Sequence, residues 1–306
     1  MTQRESKFQV CVVQAGSVLF DTPRTLEKLA HWAGAARQAG ARLAVFPEAF
    51  VGGYPKGAQF GASLGNRTSE GREEFRAYFD SAIAVPGPET ESIAAVARDS
   101  QLNLVVGVIE RAGGTLYCTV LFFAPSGDLL AKHRKLMPTA LERIVWGAGD
   151  GSTLPVLETS LGRLGAVICW ENYMPLLRMA MYAKGIELYC APTVDDRDAW
   201  IPTIRHIAYE GRCFVLSACQ FLAADDEQAK PLIRGGSCIV SPFGAVLAGP
   251  AYGSEQLVTA EIDLAEIARG KFDLDVAGHY ARPDVFRLHV NESAQPTVVI
   301  DLPEPA

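Results

Sequence analysis

Three polar residues each follow a short run of residues that is typical of a buried strand. Glu48 comes after the run at 43–46, Lys135 after the segment at 129–134, and Cys169 after the run at 164–168. Ligand sites in sheets covered by helices gather at strand ends, so these side chains could meet. A carboxylate can take a thiol's proton, the thiolate attacks a C=O or C≡N carbon, and an ammonium stabilises the negative charge that develops. The three residue types therefore suit nucleophilic catalysis by Cys169.

Each of these residues also has a purely structural interpretation. A free cysteine is among the most buried residue types and often only fills space. Glu48 could cap a helix, and Lys135 could be a solvated surface charge. Position along the chain leaves both interpretations open, because one sequence does not reveal which distant residues converge.

The elements that must position these residues are predicted from periodicity and turn signals. Strands and helices alternate as far as residue 109, and hairpins follow across 125–128 and 242–244. Residues 52–74 are rich in glycine and polar side chains, which predicts a long loop or lid. Cys169 is expected at a turn between a strand and a helix beginning at Pro175, where a helix N-terminus would lower the pKa of the thiol. This order predicts a mixed, partly antiparallel sheet system covered by helices.

Two glycine-containing motifs are alternatives to this chemistry. The G-x-S-x-G pattern at 61–65 is found in serine hydrolases, but no apolar strand precedes it here. The segment at 147–151 resembles a phosphate loop but misses the G-x-G-x-x-G spacing. Neither motif has the sequence context that its function requires.

Composition limits the remaining function classes. The 306 residues are 49% hydrophobic and carry a net charge of −7, and no linker divides them, so 1–306 is predicted to form a single domain. There is no basic run for nucleic acid and no apolar run long enough for a membrane span. Seven cysteines without C-x-x-C spacing, after an N-terminus lacking a signal-peptide core, predict reduced thiols in the cytoplasm. The five histidines are dispersed, so no metal site is expected.

Long motifs in the chain resemble those of the nitrilase superfamily. The similar segments are FPEAFVGGYPKG (46–57), HRKLMPTALERIVWGAGDGSTLPV (133–156) and GAVICWENYMPLLRMAMYAKG (165–185). Two more, RHIAYEGRCFV (205–215) and GHYARPDVFRLHV (278–290), resemble the nitrilase branch in particular. The resemblance extends from about residue 8 to residue 291.

The resemblance implies an α+β fold, a four-layer α-β-β-α sandwich of the carbon-nitrogen hydrolase type, that pairs into dimers or larger homo-oligomers. It implies that Cys169 is the nucleophile, Glu48 the general base, Lys135 the charge stabiliser and Glu142 an accessory glutamate. Substrate contacts are expected from Tyr54, Trp170, Thr193 and Val194. No cofactor is implied, and residues 271–306 are expected to form a C-terminal tail at an interface.

The segment after the nucleophile, CWEN, together with RKLMPT, resembles nitrilases rather than their amidase relatives. The expected reaction is hydrolysis of a small organic nitrile to the carboxylic acid and ammonia, through a thioimidate and a thioester on cysteine. An amidase or carbamoylase using the same Glu-Lys-Cys triad is the alternative. A catalytically idle scaffold that binds through its dimer surface is a third interpretation.

Overall fold

A computed structural model of the chain describes residues 6–224, 229–296 and 298. The strands are β1 (Lys7–Gln14), β2 (Ala41–Val45), β3 (Ala62–Ser63), β4 (Asn66–Arg67), β5 (Asn103–Ala112), β6 (Thr115–Phe123), β7 (Leu129–Arg134), β8 (Val156–Thr159), β9 (Gly162–Ala166), β10 (Leu188–Cys190), β11 (Phe214–Ser217), β12 (Phe221–Leu222), β13 (Ile233–Val240), β14 (Val246–Tyr252) and β15 (Gln256–Asp263). The helices are α1 (Thr22–Gln38), α2 (Ser69–Ser81), α3 (Pro88–Ser100), α4 (Pro175–Ala183), α5 (Trp200–Gly211) and α6 (Ala265–Asp273).

The larger strands form two sheets with mixed strand directions. The first has the order β15-β1-β2-β5-β6-β7, and the second has the order β12-β13-β11-β10-β9-β8 with β14 paired to β13. In the first sheet β1, β2 and β5 are parallel, whereas β6, β7 and β15 are antiparallel to their neighbours. The predicted mixed sheet system is confirmed.

Alternation along the strands explains how the layers stack, because successive side chains of a strand point to opposite faces. On β1, Val10 and Val12 enter a core that they share with Leu164 of β9 in the second sheet. Cys11 and Val13 instead enter a core with residues of α1 and α3. A third core joins the second sheet to α4 and α5. Three cores between four layers make the α-β-β-α sandwich that the family resemblance implied.

Helix α1 follows directly from local signals in the sequence. The Asp21 side chain accepts a hydrogen bond from the backbone N–H of Arg24 at 3.0 Å, and a proline stands in the first turn. Leu29, Ala33 and Ala36 lie buried along one face. A left-handed residue, Gly40 with φ +79°, follows the helix before β2 begins.

The predicted loop over 52–74 is wrong in its last part, because α2 begins at Ser69. Thr68 caps this helix by accepting from the N–H of Gly71 at 3.0 Å. Only a narrow face is buried, and Tyr78 on that face packs against Phe60, so the apolar pattern was too sparse to predict a helix. Ser63 of the G-x-S-x-G pattern lies exposed on the small β3–β4 hairpin, not on a turn between a strand and a helix.

The chain after α6 runs over the surface in turns and irregular structure. Its backbone N–H at Gln295 donates to Asp150 at 2.8 Å, and Glu292 forms an ion pair with Lys184 at 2.5 Å. Residues 297 and 299–306 of the predicted tail lie outside the described residues. Within the described ranges, no helix combines the length and apolar character that crossing a bilayer requires.

Candidate active site

Glu48 follows β2, near the middle of the first sheet, and its side chain is fully buried. Its Oε1 accepts a hydrogen bond from Nζ of Lys135 at 2.6 Å, and its Oε2 accepts from the N–H of Val194 at 3.2 Å. Gln220 Nε2 donates to the backbone carbonyl of Glu48 at 2.8 Å. On the far side Gly107 of β5 lies so close that a Cβ there would be 2.1 Å from the oxygen of Pro47. Hydrogen bonds therefore hold both carboxylate oxygens, and close packing and a further hydrogen bond hold the backbone of Glu48.

Lys135 immediately follows β7, at the edge of the same sheet, and is also fully buried. Its Nζ donates to Oε2 of Glu142 at 2.7 Å as well as to Glu48. Glu142 lies on a 3-10 turn, Ala140–Ile144, and accepts from the N–H of Thr139 at 2.6 Å and from the Tyr54 hydroxyl at 2.9 Å. One ammonium thus bridges two carboxylates.

Cys169 follows β9 in the second sheet, where a 3-10 turn, Cys169–Tyr173, precedes α4. Its φ of +50° is left-handed, a conformation that costs a non-glycine residue about 1–3 kcal/mol. The backbone N–H of Cys169 donates to the carbonyl of Pro192 at 2.9 Å. The side-chain amide of Asn172 donates to the backbone carbonyl of Cys169 at 2.8 Å. The Thr193 hydroxyl donates to Sγ at 3.2 Å. These contacts fix the thiol in the strained position.

The electrostatics of the site follow from burial and from these close charges. Burial lowers the pKa of Lys135, but Glu48 and Cys169 raise it, and the net direction is well above its usual range. Burial and the charge of Glu142 raise the pKa of Glu48, whereas Lys135 lowers it. The net result is a raised pKa. Lys135 therefore stays protonated, and Glu48 is a stronger base than an exposed glutamate.

The predicted lowering of the Cys169 pKa is wrong. Burial and the charge of Glu48 raise the pKa of this thiol well above its usual range, although Lys135 opposes them. The residue also starts a 3-10 turn rather than an α-helix, so the expected helix N-terminus is absent at the sulfur. The resting thiol is protonated and requires a neighbouring base to react.

A cavity of about 270 Å³ opens above the thiol. Of the four predicted substrate-contacting residues, three line it, and the fully buried Thr193 lies behind Cys169 and touches the sulfur instead. The full lining is Tyr54, Lys56, Thr139, Glu142, Cys169, Trp170, Val194, Asp195, Asp196 and Arg197. A second cavity of about 480 Å³ shares Tyr54, Lys56 and Glu142 with the first and is otherwise largely apolar.

The family model of carbon-nitrogen hydrolases matches residues 9–272. A bifunctional nitrilase/nitrile hydratase of Nicotiana tabacum is 58% identical over 92% of this chain and 86% of its own length. An aliphatic nitrilase of Sinorhizobium fredii is 57% identical over 96% of this chain and 99% of its own length. The chain belongs to the carbon-nitrogen hydrolase family, among its nitrilases. It is a hydrolase that acts on carbon-nitrogen bonds.

Solved structures support the fold of this hydrolase. The NitFhit protein of C. elegans superposes with a TM-score of 0.76 over 96% of this chain and 70% of its own, at 23% identity. An amidase from Nesterenkonia sp. superposes with a TM-score of 0.67 over 89% of this chain and 97% of its own, at 20% identity. At these identities the likeness shows the architecture alone.

Sequence reasoning missed the charged rim of the hydrolase pocket. Asp195 accepts from Nε1 of Trp170 at 3.0 Å and pairs with Arg197, whose guanidinium lies 4.5 Å from the centre of the Trp170 ring. Burial raises the pKa of Asp195, but the hydrogen bonds and charge of Arg197 lower it, and the net direction is down. The sequence did contain a signal for Asp195 and Arg197, because both residues lie in the loop that follows strand β10, as Cys169 follows β9.

Proposed function

We propose that this hydrolase converts an organic nitrile to the carboxylic acid and ammonia through a covalent intermediate on Cys169. The observation that carries the proposal is that the Lys135 ammonium bonds both Glu48 and Glu142, the buried Glu48 carboxylate forms a hydrogen bond with the Cys169 thiol, and Cys169 and Glu142 line one cavity. Relatives that are 54–58% identical over at least 92% of this chain are named nitrilases, which supports a nitrile as the substrate.

In the first half of the proposed reaction, Glu48 takes the proton of Cys169 as the sulfur attacks the nitrile carbon. A carbon–sulfur bond forms, and one electron pair of the C≡N bond moves to nitrogen, which takes the proton that Glu48 removed from the thiol and so gives a thioimidate and a free Glu48 carboxylate. Lys135 stabilises the charge on nitrogen, because its ammonium is held between Glu48 and Glu142 before substrate arrives.

In the second half, a water molecule adds to the thioimidate carbon while Glu48 accepts its proton. Protonation of the nitrogen then lets ammonia leave, and a thioester remains on Cys169. A second water adds to the thioester, the carbon–sulfur bond breaks, and the carboxylic acid is released as the thiol regains its proton. Glu48 accepts and returns each proton that these steps move, while Lys135 stays protonated throughout.

The organic group of the nitrile is proposed to be aromatic or of the arylacetonitrile type. The catalytic cavity accommodates a small group beside Trp170, and the second cavity offers apolar surface from Phe60, Ile144 and Trp146 beyond Tyr54. Apolar walls with a few fixed polar groups are usual for pockets that bind such compounds.

The test is turnover of a panel of aliphatic nitriles, arylacetonitriles, benzonitriles and the corresponding amides, with ammonia, acid and amide measured separately. We expect acid and ammonia from nitriles, an acyl adduct on Cys169 by intact mass, and no turnover by Cys169→Ala. Turnover of amides alone would favour the amidase alternative, and full activity in Cys169→Ala would reject the mechanism.

We also propose that the chain works in the cytoplasm as a homodimer or larger assembly. Its seven cysteines are buried and unpaired, which fits a reducing compartment.

The assembly is proposed from exposed aromatic side chains near the C-terminus. Phe272, Tyr280 and Phe286 are 86%, 63% and 78% exposed, an unusual amount of aromatic surface for a segment that stays in water. A second copy of this chain is the proposed partner of residues 271–306, and sedimentation of a Phe286→Ser variant tests it.

A further inference from the structure

A completely buried ion pair lies beneath the catalytic residues and takes no part in the proposed chemistry. Nε2 of His133 is 3.0 Å from Oε2 of Glu171, and both side chains have no exposed surface. His133 lies on β7, two residues before Lys135, and Glu171 lies two residues after Cys169. A buried charge pair is costly to desolvate, so its other contacts indicate what it does.

The Glu171 carboxylate receives two backbone hydrogen bonds at opposite sides of the active site. Its Oε1 accepts from the N–H of Leu136 at 2.6 Å, and its Oε2 accepts from the N–H of Ile168 at 2.8 Å. Leu136 directly follows Lys135, and Ile168 directly precedes Cys169. Because β7 belongs to the first sheet and β9 to the second, one carboxylate links the ends of strands from both sheets.

His133 completes this arrangement by supplying a positive charge. Its Nδ1 lies 2.6 Å from the carbonyl oxygen of Thr153, which can only accept, while Nε2 faces the carboxylate of Glu171. Both ring nitrogens therefore donate, and the ring is an imidazolium. Burial lowers the pKa of His133 and Lys184 also lowers it, but Glu171 and the Thr153 carbonyl raise it, and the net direction is up.

We propose that Glu171 and His133 are positioning residues that set the separation of Lys135 from Cys169. The inference rests on the proposed function, since it assigns these residues to the same catalytic site. Neither side chain lines the substrate cavity, and both act through the backbone that carries the catalytic residues.

Glutamine at position 171 tests the requirement for a carboxylate with little change in shape. The side-chain NH₂ of glutamine cannot accept, so at least one of the three donors that now bond Glu171 loses its partner. We expect Glu171→Gln to lower kcat on the order of 100-fold, because small misplacements of catalytic groups have effects of that size. KM should change little, since the cavity walls are untouched.

A second measurement separates positioning from general loss of stability. The rate at which iodoacetamide alkylates Cys169, followed by peptide mass across a pH series, reports the pKa of the thiol. Among the charged groups that affect this thiol, Glu48 and Glu142 raise its pKa, whereas Lys135 and the rim residue Arg197 lower it. Displacement of Lys135 in Glu171→Gln should therefore move the alkylation profile to higher pH.

Glu110→Gln is the matched control. Glu110 is a buried carboxylate that pairs with Lys132 and Arg134, the residues on either side of His133 on β7, each at 2.6 Å. The control thus weakens contacts to the same strand without touching the backbone beside Lys135 or Cys169. We expect it to keep the wild-type kcat and the wild-type alkylation profile.

His133→Asn provides an independent variant if Glu171→Gln does not fold, and it should show the same two changes. The double variant should be no worse than the more impaired single variant, because residues that act as a unit are not additive. A wild-type kcat and alkylation profile in a folded Glu171→Gln or His133→Asn protein would overturn the proposal. Failure of the proposed function is distinguishable, because the wild-type protein would then turn over no nitrile while alkylation of Cys169 could still be compared.

Discussion

Replacement of Lys135 by methionine removes the only cation that pairs with Glu48 and Glu142 within the part of the chain that the structure describes. Methionine has nearly the length of lysine and no charge, so the substitution leaves packing almost unchanged. Glu48 is fully buried, and the side chain of Glu142 is 11% exposed. Removing one partner of a buried charge pair typically costs about 3–5 kcal/mol, which is our expectation for Lys135→Met at pH 7.

This loss of stability should depend on pH in a defined direction. Without Lys135, which lowers the pKa of Glu48, that pKa rises in the folded state further above its value in the unfolded chain. The folded state then binds more protons, so its free energy of unfolding falls as pH rises through the elevated pKa. The deficit relative to wild type should therefore be largest near neutral pH and shrink as the solution is acidified.

Urea unfolding of both proteins across a pH series measures this difference. Lys132→Met is the control, because Lys132 also pairs with a buried carboxylate, Glu110, which keeps Arg134 as a second partner. Turnover should fall in Lys135→Met by about 10²- to 10³-fold, as when one oxyanion donor is removed. A variant as stable as wild type at pH 7, or a deficit equal at every pH, would refute the electrostatic reasoning.

Two further predictions concern Glu48. The raised pKa of Glu48 places the acid limb of the kcat/KM profile above the pH at which an ordinary glutamate titrates. Glu142→Gln should move that limb to lower pH, because the charge of Glu142 raises the pKa of Glu48. An acid limb at the same pH in the variant would contradict this coupling. Gly107→Ala should lower activity on the order of 100-fold, because its Cβ would lie 2.8 Å from Cα of Glu48. Gly114→Ala, with no atom within 4 Å, is the control, and wild-type activity in Gly107→Ala would show that Glu48 tolerates displacement.

Elements with strong local signals could be predicted from the sequence alone. Helix α1 has its cap, its proline and its apolar face within one continuous segment. Helix α2 was missed, because its burial depends on contacts between Tyr78 and residues of the preceding loop. The spacing of apolar residues predicts a helix that buries a wide face. It does not predict a helix that is held by only a few aromatic contacts.

The candidate site was likewise predictable from the sequence only in part. The sequence predicted that Glu48, Lys135 and Cys169 could meet, because each follows a strand-like run within a recognisable motif. The direction of the Cys169 pKa was wrong, since it depends on complete burial and on the charge of Glu48, 121 positions earlier in the printed sequence. His133 and Glu171 stood within the same motifs, but nothing in the sequence paired them.

The sequence by itself determined which side chains stand at the ends of strands, and through its motifs the family to which the chain belongs. Only the tertiary structure decided that Lys135 and Glu48, separated by 87 positions, are 2.6 Å apart, and that Glu171 joins the two sheets beneath them. The physical reason is that strand and helix patterns report local burial, whereas hydrogen bonds and charge interactions depend on distance in space. Proton affinities at this site are therefore properties of the packed sandwich and not of any segment within it.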